Sequence, residues 1–336
     1  MRLPISLIID DAAPLLNLFW WHAAERQRSQ TPVLESGEPV ARAMPMKFVA
    51  DFAKVVEACD MRGKFSVVPF PAGLGRIRKG WPGCNRGALE RWLNVARLYI
   101  APRMDITPEM LTHTRAVELS SMTLLAENER DWATHQTETT LTPYIAAALR
   151  FLNEVGLKAT GVTSPWNFGS AVEPEYQRAI LNAMRNVNDC GRTWYFLHTD
   201  RESLEFRSRV VLREGEDWLV SIVSRCDDLI WPTMEMQEDS TEYARTVADG
   251  YLTRDGRSGR LARLFETRTP IIFHTHWQSL YSNGRRTGLR VLYEVGRRIQ
   301  HAWGEKVRWV KCSELAKEIA RDEWPTAETI RQKLTP

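Results

Sequence analysis

Side chains that can bind a metal ion or transfer a proton stand directly after several short apolar runs of this 336-residue sequence. They are Asp10, Asp11, His113, His198, His274 and His276. Carboxylates and imidazoles brought together form the ligand set expected of zinc, or of another divalent transition metal, that keeps one position open for water. The same residue types serve as general acids and bases. The sequence thus points to metal-assisted chemistry, provided that the fold gathers these run ends.

Asp10 and Asp11 are the pair most in need of a partner. Two adjacent carboxylates in a partly dry site repel each other unless a cation, a proton or strong hydrogen-bond donors offset their charge. One interpretation is a metal ligand beside a general base, and the other is a helix cap or a loop ion pair. His113 taken alone is more typical of a hydrogen-bonded core histidine than of a ligand. The interpretation as a site therefore depends on these residues lying together.

The elements that would gather these residues are strands alternating with helices. Seven short apolar runs are predicted as strands, over residues 5–9, 64–68, 110–113, 159–163, 194–197, 270–273 and 307–311. Segments with helical periodicity separate most of them. Such strands form a parallel sheet with helices outside it, wrapped one way by right-handed crossovers. The sequence predicts an α/β barrel, in which reactive groups gather at the carboxyl ends of the strands.

One segment interrupts the alternation of strands and helices. Residues 209–212 and 218–223 are apolar and flank a Glu-Gly-Glu-Asp sequence, a pattern that is typical of a β-hairpin. We therefore predict a hairpin inserted within residues 205–232. The chain from residue 1 to 336 is predicted to form a single barrel domain around it.

Composition and charge exclude several classes of protein. The chain is 43% hydrophobic and 26% charged, which is typical of a globular protein. Its 45 Lys and Arg residues against 42 Asp and Glu residues give a net charge of +3. The sequence has no long run of like-charged residues, so a nucleic-acid partner is not expected. The five cysteines lack the short spacings of a zinc ribbon, a redox pair or a disulfide framework.

No membrane partner is expected from the sequence. It contains no apolar window of about 18 residues that could span a bilayer. The apolar stretch before Asp10 is too short for the core of a secretion signal, and two acids stand where a cleavage site would need small residues. We therefore expect a cytoplasmic location.

Four short motifs follow predicted strands in a definite order. They are Ile-Ile-Asp-Asp-Ala at 8–12, Leu-Thr-His-Thr at 111–114, Thr-Ser-Pro-Trp at 163–166 and Ile-Phe-His-Thr-His at 272–276. In this order they resemble the motifs of the polysaccharide deacetylases, carbohydrate esterase family 4. The resemblance implies a distorted (β/α)7 barrel, here with the β-hairpin as an insertion, that removes N- or O-acetyl groups from carbohydrates with a divalent metal.

The resemblance also implies a role for each motif residue. Asp10 would be the general base, and Asp11 and His113 would ligate the metal, with zinc as the expected ion. A late histidine, His274 or His276, would be the general acid toward the leaving group.

Aromatic residues near the predicted strand ends are candidates for substrate contact. The resemblance places Trp166 in the sugar pocket. His22, which ends an aromatic run after the acid pair, and Trp277 are further candidates, because aromatic side chains there could form stacking platforms for sugar rings. Packing in the core is the alternative interpretation for each tryptophan.

Two positions depart from the family's pattern. Members usually carry a second ligating histidine four residues after the first, where this chain has Val117, and a glycine after the aspartates, where it has Ala12. Either His276, His135 or His22 completes the ligand set from elsewhere, or the metal has been lost.

The expected function is a metal-dependent acyl hydrolase, and the alternative is a non-catalytic carbohydrate-binding barrel. A glycosidase is disfavoured because adjacent aspartates cannot flank a scissile bond from two sides.

Two geometric expectations follow from these roles. Asp11 and His113 should approach within about 4 Å, because metal–ligand distances are roughly 2.0 to 2.2 Å. Residues alternate faces along a strand, so His274 and His276 should point the same way, with Thr275 opposite. Of the two histidines, His276 lies nearer the barrel mouth and is the favoured contact with the reaction centre.

Overall fold

The computed structural model describes residues 2–15 and 43–324. Its strands are β1 (Leu3–Ala12), β2 (Gly63–Val67), β3 (Met104–Pro108), β4 (Arg115–Glu118), β5 (Thr123–Asn128), β6 (Val162–Thr163), β7 (Arg192–Thr199), β8 (Arg209–Glu214), β9 (Asp217–Ser224), β10 (Ile271–His276) and β11 (Val307–Trp309). Its α-helices are α1 (Met46–Ala58), α2 (Arg86–Val95), α3 (Glu129–Ala133), α4 (Glu138–Asn153), α5 (Glu173–Asn188), α6 (Thr241–Tyr251), α7 (Arg260–Glu266), α8 (Trp277–Tyr281), α9 (Thr287–Ala302) and α10 (Cys312–Ala320).

Seven of the strands run parallel and follow one another around a ring. Parallel ladders join β10 to β1, β1 to β2, β2 to β3, β6 to β7 and β7 to β9. The two remaining joints are single parallel bridges, Glu109 with Thr163 between β3 and β6, and Cys226 with Phe273 between β9 and β10. The fold is therefore the predicted α/β architecture, a (β/α)7 barrel distorted at these two joints.

In the described residues, four strands outside the ring complete the sheet structure. The predicted hairpin is present as antiparallel β8 and β9, and its second strand also pairs in parallel with β7. The last predicted strand, β11, pairs only with the first residues of β1 and lies outside the ring. A second antiparallel hairpin, β4 with β5, was not expected from the sequence.

The third strand lies earlier in the chain than predicted. It is β3, at Met104–Pro108, whereas residues 110–113 form a turn in which Met110 and His113 have positive φ angles of 48° and 55°. Asp105 and Thr107 alternate with apolar residues in β3 and are buried, so the strand does not read as an apolar run. The prediction over 110–113 was wrong because it assumed that every ring strand is apolar on both faces.

Helices cover the outside of the ring, as α1 illustrates. Its buried residues Phe48, Val49, Phe52 and Val56 recur with helical spacing, so one face of α1 packs on the sheet. Gly63 then begins β2 where a Cβ atom would lie 1.7 Å from the backbone oxygen of Leu7, so only glycine allows β1 and β2 to approach there.

In residues 2–15 and 43–324, no helix combines the length and apolar character needed to cross a bilayer.

Candidate functional site

Three side chains suited to metal binding converge at the carboxyl ends of β1 and β3. Asp11, Glu109 and His113 each offer one ligand atom, and these atoms all lie within 4.8 Å of one another. The Nε2 atom of His113 lies 2.6 Å from Oδ1 of Asp11, as the expected approach of these two residues requires. All three residues are buried. Two atoms bound to one ion at about 2.1 Å are at most about 4.2 Å apart, so small side-chain movements would let all three bind.

A local irregularity in β1 lets both aspartates serve the same site. Adjacent residues of a regular strand point to opposite faces. Asp11, however, has a φ angle of 63°, and the pairing of β1 with β2 shifts register between Ile9 and Ala12. Such a bulge redirects side chains, and aspartate tolerates the left-handed region better than most residues.

Glu109 is the member of this cluster that the sequence analysis did not anticipate. It directly follows β3, and its Oε2 atom accepts hydrogen bonds from the Asp11 backbone N–H, at 3.2 Å, and from the Ser66 hydroxyl. Burial, reinforced by the nearby negative charge of Asp10, raises the pKa of Glu109 to about 7. Its position at a strand end was the available signal, which the misplacement of the third strand concealed.

Position 117 cannot supply a ligand, for a structural reason. Residues four apart lie side by side on a helix, but Val117 belongs to β4, where it is buried and pairs with Leu124 of β5. His135 does not replace it, because this residue is exposed and its Nε2 lies 3.5 Å from Glu127. Within the described part of the chain, the third donor next to Asp11 and His113 is Glu109.

A buried carboxylate fixes the turn that carries His113. Glu129 Oε1 accepts the backbone N–H groups of Leu111 and Thr112, at 2.9 and 3.0 Å, and Oε2 accepts that of His113 at 2.8 Å. The Tyr144 hydroxyl donates to Oε1 at 2.7 Å. Burial raises the pKa of Glu129 to about 6. These four donors account for the unusual backbone conformation of the turn, since a positive φ persists only where surrounding contacts hold it.

Replacing Glu129 with alanine is expected to weaken divalent-metal binding by about 10- to 100-fold, the usual effect of removing an outer partner of a metal ligand. The variant should also lose at least about 2 kcal/mol of stability, because four buried donors lose their acceptor. Competition with a chromogenic chelator and urea unfolding measure the two effects. Glu127→Ala, an exposed site on β5, is the matched control. Equal metal affinity in both variants would contradict this role of Glu129.

Asp10 lies beside the cluster and is paired with a buried lysine. Lys64 of β2 is fully buried, its Nζ contacts Oδ1 of Asp10, and it also lies over the Phe196 ring, 5.1 Å from the centroid. The sequence analysis missed Lys64, although a lysine at the start of a predicted apolar strand was a signal. Among the described residues, no hydrogen bond involves the other carboxylate oxygen of Asp10. That oxygen keeps its capacity to accept a hydrogen bond.

His276 is oriented by Asp228, a second residue that the sequence analysis missed. Oδ2 of Asp228 lies 2.8 Å from His276 Nδ1 and accepts the His276 backbone N–H at 3.1 Å and the Ser279 hydroxyl at 2.6 Å. The Thr275 hydroxyl donates to Oδ1 at 2.8 Å. With Nδ1 donating to a carboxylate, Nε2 is the ring nitrogen left for other partners.

The two late histidines have opposite protonation behaviour. Burial lowers the pKa of His276, but its hydrogen bond with Asp228 and the negative charge of Asp11 outweigh burial and raise that pKa to about 10. Burial and the neighbouring His276 lower the pKa of His274, whose Nδ1 lies 3.1 Å from the Cys226 carbonyl oxygen. The two rings are 5.5 Å apart, consistent with side chains on one face of β10. At neutral pH, His276 is protonated and His274 is neutral.

The imidazole of His113 is also held protonated when no metal is bound. Burial lowers its pKa, but the adjacent Asp11 carboxylate raises it more strongly, to about 9. A metal ion can bind only the neutral imidazole, so metal binding at this site would release that proton.

Two tryptophans contact the histidines of the site. The Trp166 ring lies edge-on to His113 and the Trp231 ring edge-on to His276, each with centroids 4.9 Å apart. Trp166 is 39% exposed, so its ring is accessible to a ligand. Trp231 follows Asp228 closely in the chain.

Trp277, another predicted substrate contact, is not found at the site. Trp277 is 1% exposed, and its ring packs against Phe48, Phe52 and Phe65 beneath the helices. The expectation that Trp277 contacts substrate was therefore wrong, because α8 begins at this residue and turns its side chain into the core. His22 lies outside the described residues.

Comparisons with known proteins find only distant similarities. No model of a protein family matches the sequence, and no curated protein matches it. A candidate polysaccharide deacetylase from Mycobacterium smegmatis gives a TM-score of 0.47 at 13% identity, over 83% of this chain and 79% of that one. A 4-alpha-glucanotransferase from Thermococcus litoralis gives 0.46 at 11%, over 94% and 40%. A carbohydrate esterase family 4 pseudoenzyme from Bacillus anthracis gives 0.40 at 9%, over 94% and 66%.

Proposed function

We propose that this protein is a metal-dependent hydrolase that removes an acyl group, such as acetyl, from a carbohydrate or a related small molecule. The three solved structures named above are 9 to 13% identical to this chain, so the proposal depends on the chain's own residues. The observation that carries the proposal is the buried cluster of Asp11, Glu109 and His113, whose ligand atoms lie within 4.8 Å of one another. Asp10 adjoins this cluster, and His276 is held in a protonated form nearby.

The donor set fits a divalent cation. Asp10, Asp11 and Glu109 bring three buried carboxyl groups together. Lys64 is paired with Asp10, and without a metal the protonated His113 is paired with Asp11. Carboxyl groups so placed repel one another unless protons or a cation offset their charge. Two carboxylates and one imidazole are donors that zinc and other divalent transition metals accept. We propose that Asp11, Glu109 and His113 hold such an ion, with zinc as one suitable metal.

The residues around this cluster divide the remaining tasks of hydrolysis. A bound divalent ion supplies Lewis acidity, which makes water easier to deprotonate and polarises an acyl oxygen. Asp10 takes the proton of the attacking water through its open oxygen, while Lys64 holds the other oxygen and fixes the orientation of the carboxylate. His276 donates a proton to the departing nitrogen or oxygen, and Asp228 keeps its ring aligned for that transfer.

A carbohydrate is proposed as the substrate because of the aromatic residues at the site. Trp166 and Trp231 stand against His113 and His276, and each presents an apolar ring with a polar edge. Sugar rings carry apolar faces that stack on such side chains. The two tryptophans support binding of a sugar unit between the metal cluster and the general acid.

A non-catalytic carbohydrate-binding barrel is the alternative proposal. One observation favours it, namely that Asp10 is committed through one oxygen to an ion pair with Lys64. A permanently paired carboxylate could serve structure in place of proton transfer. This alternative predicts sugar binding without turnover.

The two proposals are separated by assaying the purified protein with acetylated substrates. We expect hydrolysis of N-acetylglucosamine oligomers or of aryl acetates, loss of this activity on chelation, and its return when zinc, cobalt or manganese is added. Binding of the oligomers without hydrolysis under every metal would support the non-catalytic alternative. Chelator-resistant hydrolysis would contradict the metal-dependent proposal.

Asp228→Asn is expected to move the alkaline limit of turnover to lower pH. The hydrogen bond and charge of Asp228 help to hold the pKa of His276 at about 10, so His276 stays protonated below that pH. Asparagine keeps the size of the side chain but removes the charge, so His276 loses its proton earlier as the pH rises. The pH profile of kcat/KM measures this, with Asp255→Asn in an exposed turn as the control. Identical alkaline limits in the two variants would contradict it.

A further inference from the structure

We propose that Gln278 binds the substrate and selects amides over esters, by accepting the N–H of an N-acyl group at its Oε1 atom. This inference rests on the proposed acyl hydrolase function and names the substrate class of that site. It starts from the position of Gln278 in α8, the helix that begins directly after His276. The Gln278 amide nitrogen donates to Oδ2 of Asp11 at 3.1 Å, so the side-chain amide touches the metal cluster.

The orientation of this amide is determined by its partner. An ionised carboxylate only accepts hydrogen bonds, so the nitrogen of the Gln278 amide has to face Asp11. The oxygen therefore points elsewhere. Oε1 of Gln278 is buried and has no hydrogen-bond partner within residues 2–15 and 43–324.

An unpaired buried acceptor calls for an explanation, because native structures leave few of them. Other buried polar atoms without partners occur in this structure, but most are indole or guanidinium N–H groups. Oε1 of Gln278 differs from the other unpaired polar atoms of the described residues because its side chain is hydrogen-bonded to Asp11. It is thus an unpaired acceptor on a side chain that contacts the metal cluster.

The chemistry of the two acyl classes differs at the atom that leaves. An amide carries an N–H donor there, which Oε1 of Gln278 can accept. An ester carries an oxygen, which only accepts, so two acceptors would face each other without a hydrogen between them. A site with a built-in acceptor therefore discriminates against the analogue that lacks the donor.

The test compares 4-nitroacetanilide with 4-nitrophenyl acetate, an amide and an ester with matched aromatic groups. Gln278→Met keeps the size of the side chain but removes both the acceptor and the amide nitrogen that donates to Asp11. We expect kcat/KM for the amide to fall about tenfold further than kcat/KM for the ester, the size of one hydrogen bond. The ester makes no such bond, so its kcat/KM should change only by what the lost contact with Asp11 costs, a cost that the amide shares. Gln177→Met, a glutamine on α5 that donates to Tyr195, is the matched control and should leave the amide-to-ester ratio unchanged.

A second measurement does not depend on the variant alone. N-methylation of the anilide removes the N–H, so the parent enzyme should discriminate against the N-methyl amide, and Gln278→Met should largely lose this discrimination. Metal content and thermal unfolding of the variant show whether the site is intact. An equal fall for amide and ester, or equal discrimination in both enzymes, would overturn the role of Gln278. Hydrolysis of none of these substrates by the parent would instead refute the proposed function and the inference with it.

Discussion

His276→Ala abolishes turnover or lowers it by about 10²- to 10⁴-fold if His276 is the general acid, the range expected for loss of one proton-transfer group. His276 is held protonated by Asp228 and stands on the same face of β10 as His274. Steady-state kinetics on an acetylated substrate measure the effect. Alanine removes the proton donor and leaves the strand in place, so the fold should be retained.

The control for this result is His135→Ala. His135 is exposed, and its one ion-pair partner in the described residues is Glu127. We expect this variant to keep parental turnover. Full activity of His276→Ala on a substrate that the parent hydrolyses would remove His276 from the mechanism and leave His274 as the remaining candidate of the pair.

Asp11→Asn is expected to weaken divalent-metal binding by more than about 100-fold, because loss of an outer partner alone typically costs about 10- to 100-fold. The change removes the charge of a ligand and leaves a neutral amide oxygen opposite His113 Nε2. Glu109→Gln should act in the same direction, because Glu109 supplies the third donor. Titration calorimetry with zinc or manganese measures the affinities.

Asp51→Asn is the control for the metal titrations, since Asp51 lies on the outer helix α1 and pairs with Lys47. Parental affinity in Glu109→Gln together with lost affinity in Asp11→Asn would show that Glu109 is not a ligand. Parental affinity in both variants would place the metal elsewhere.

The residues that could be predicted from the sequence are those at the ends of apolar strands. Asp10, Asp11 and His276 stand at the ends of predicted apolar strands. Parallel strands of a barrel place their carboxyl ends together, and this rule is enough to predict that the three residues share one site. The seven-strand ring was predictable for the same reason. Its membership was less so, because β9 looked like part of an inserted hairpin and β11 looked like a ring strand.

The residues that could not be predicted lie where the interior of the ring is polar. Buried Asp105 and Thr107 interrupt the apolar pattern of β3, so this strand was not predicted. The strand end at Glu109 was missed for the same reason. Asp228 escaped notice because it follows β9, which was treated as an insertion. A side chain's direction after a strand also depends on the first turn of the next helix, which is why Trp277 enters the core although it adjoins His276.

The central claim is that Asp11, Glu109 and His113 share one divalent ion. A crystal structure of the protein grown with zinc, with anomalous data collected at the metal edge, tests it most directly. The account predicts a single strong peak about 2.0 to 2.2 Å from one oxygen of each carboxylate and from Nε2 of His113. A saturated crystal with no ion at these three residues, and with His113 still hydrogen-bonded to Asp11, would contradict it.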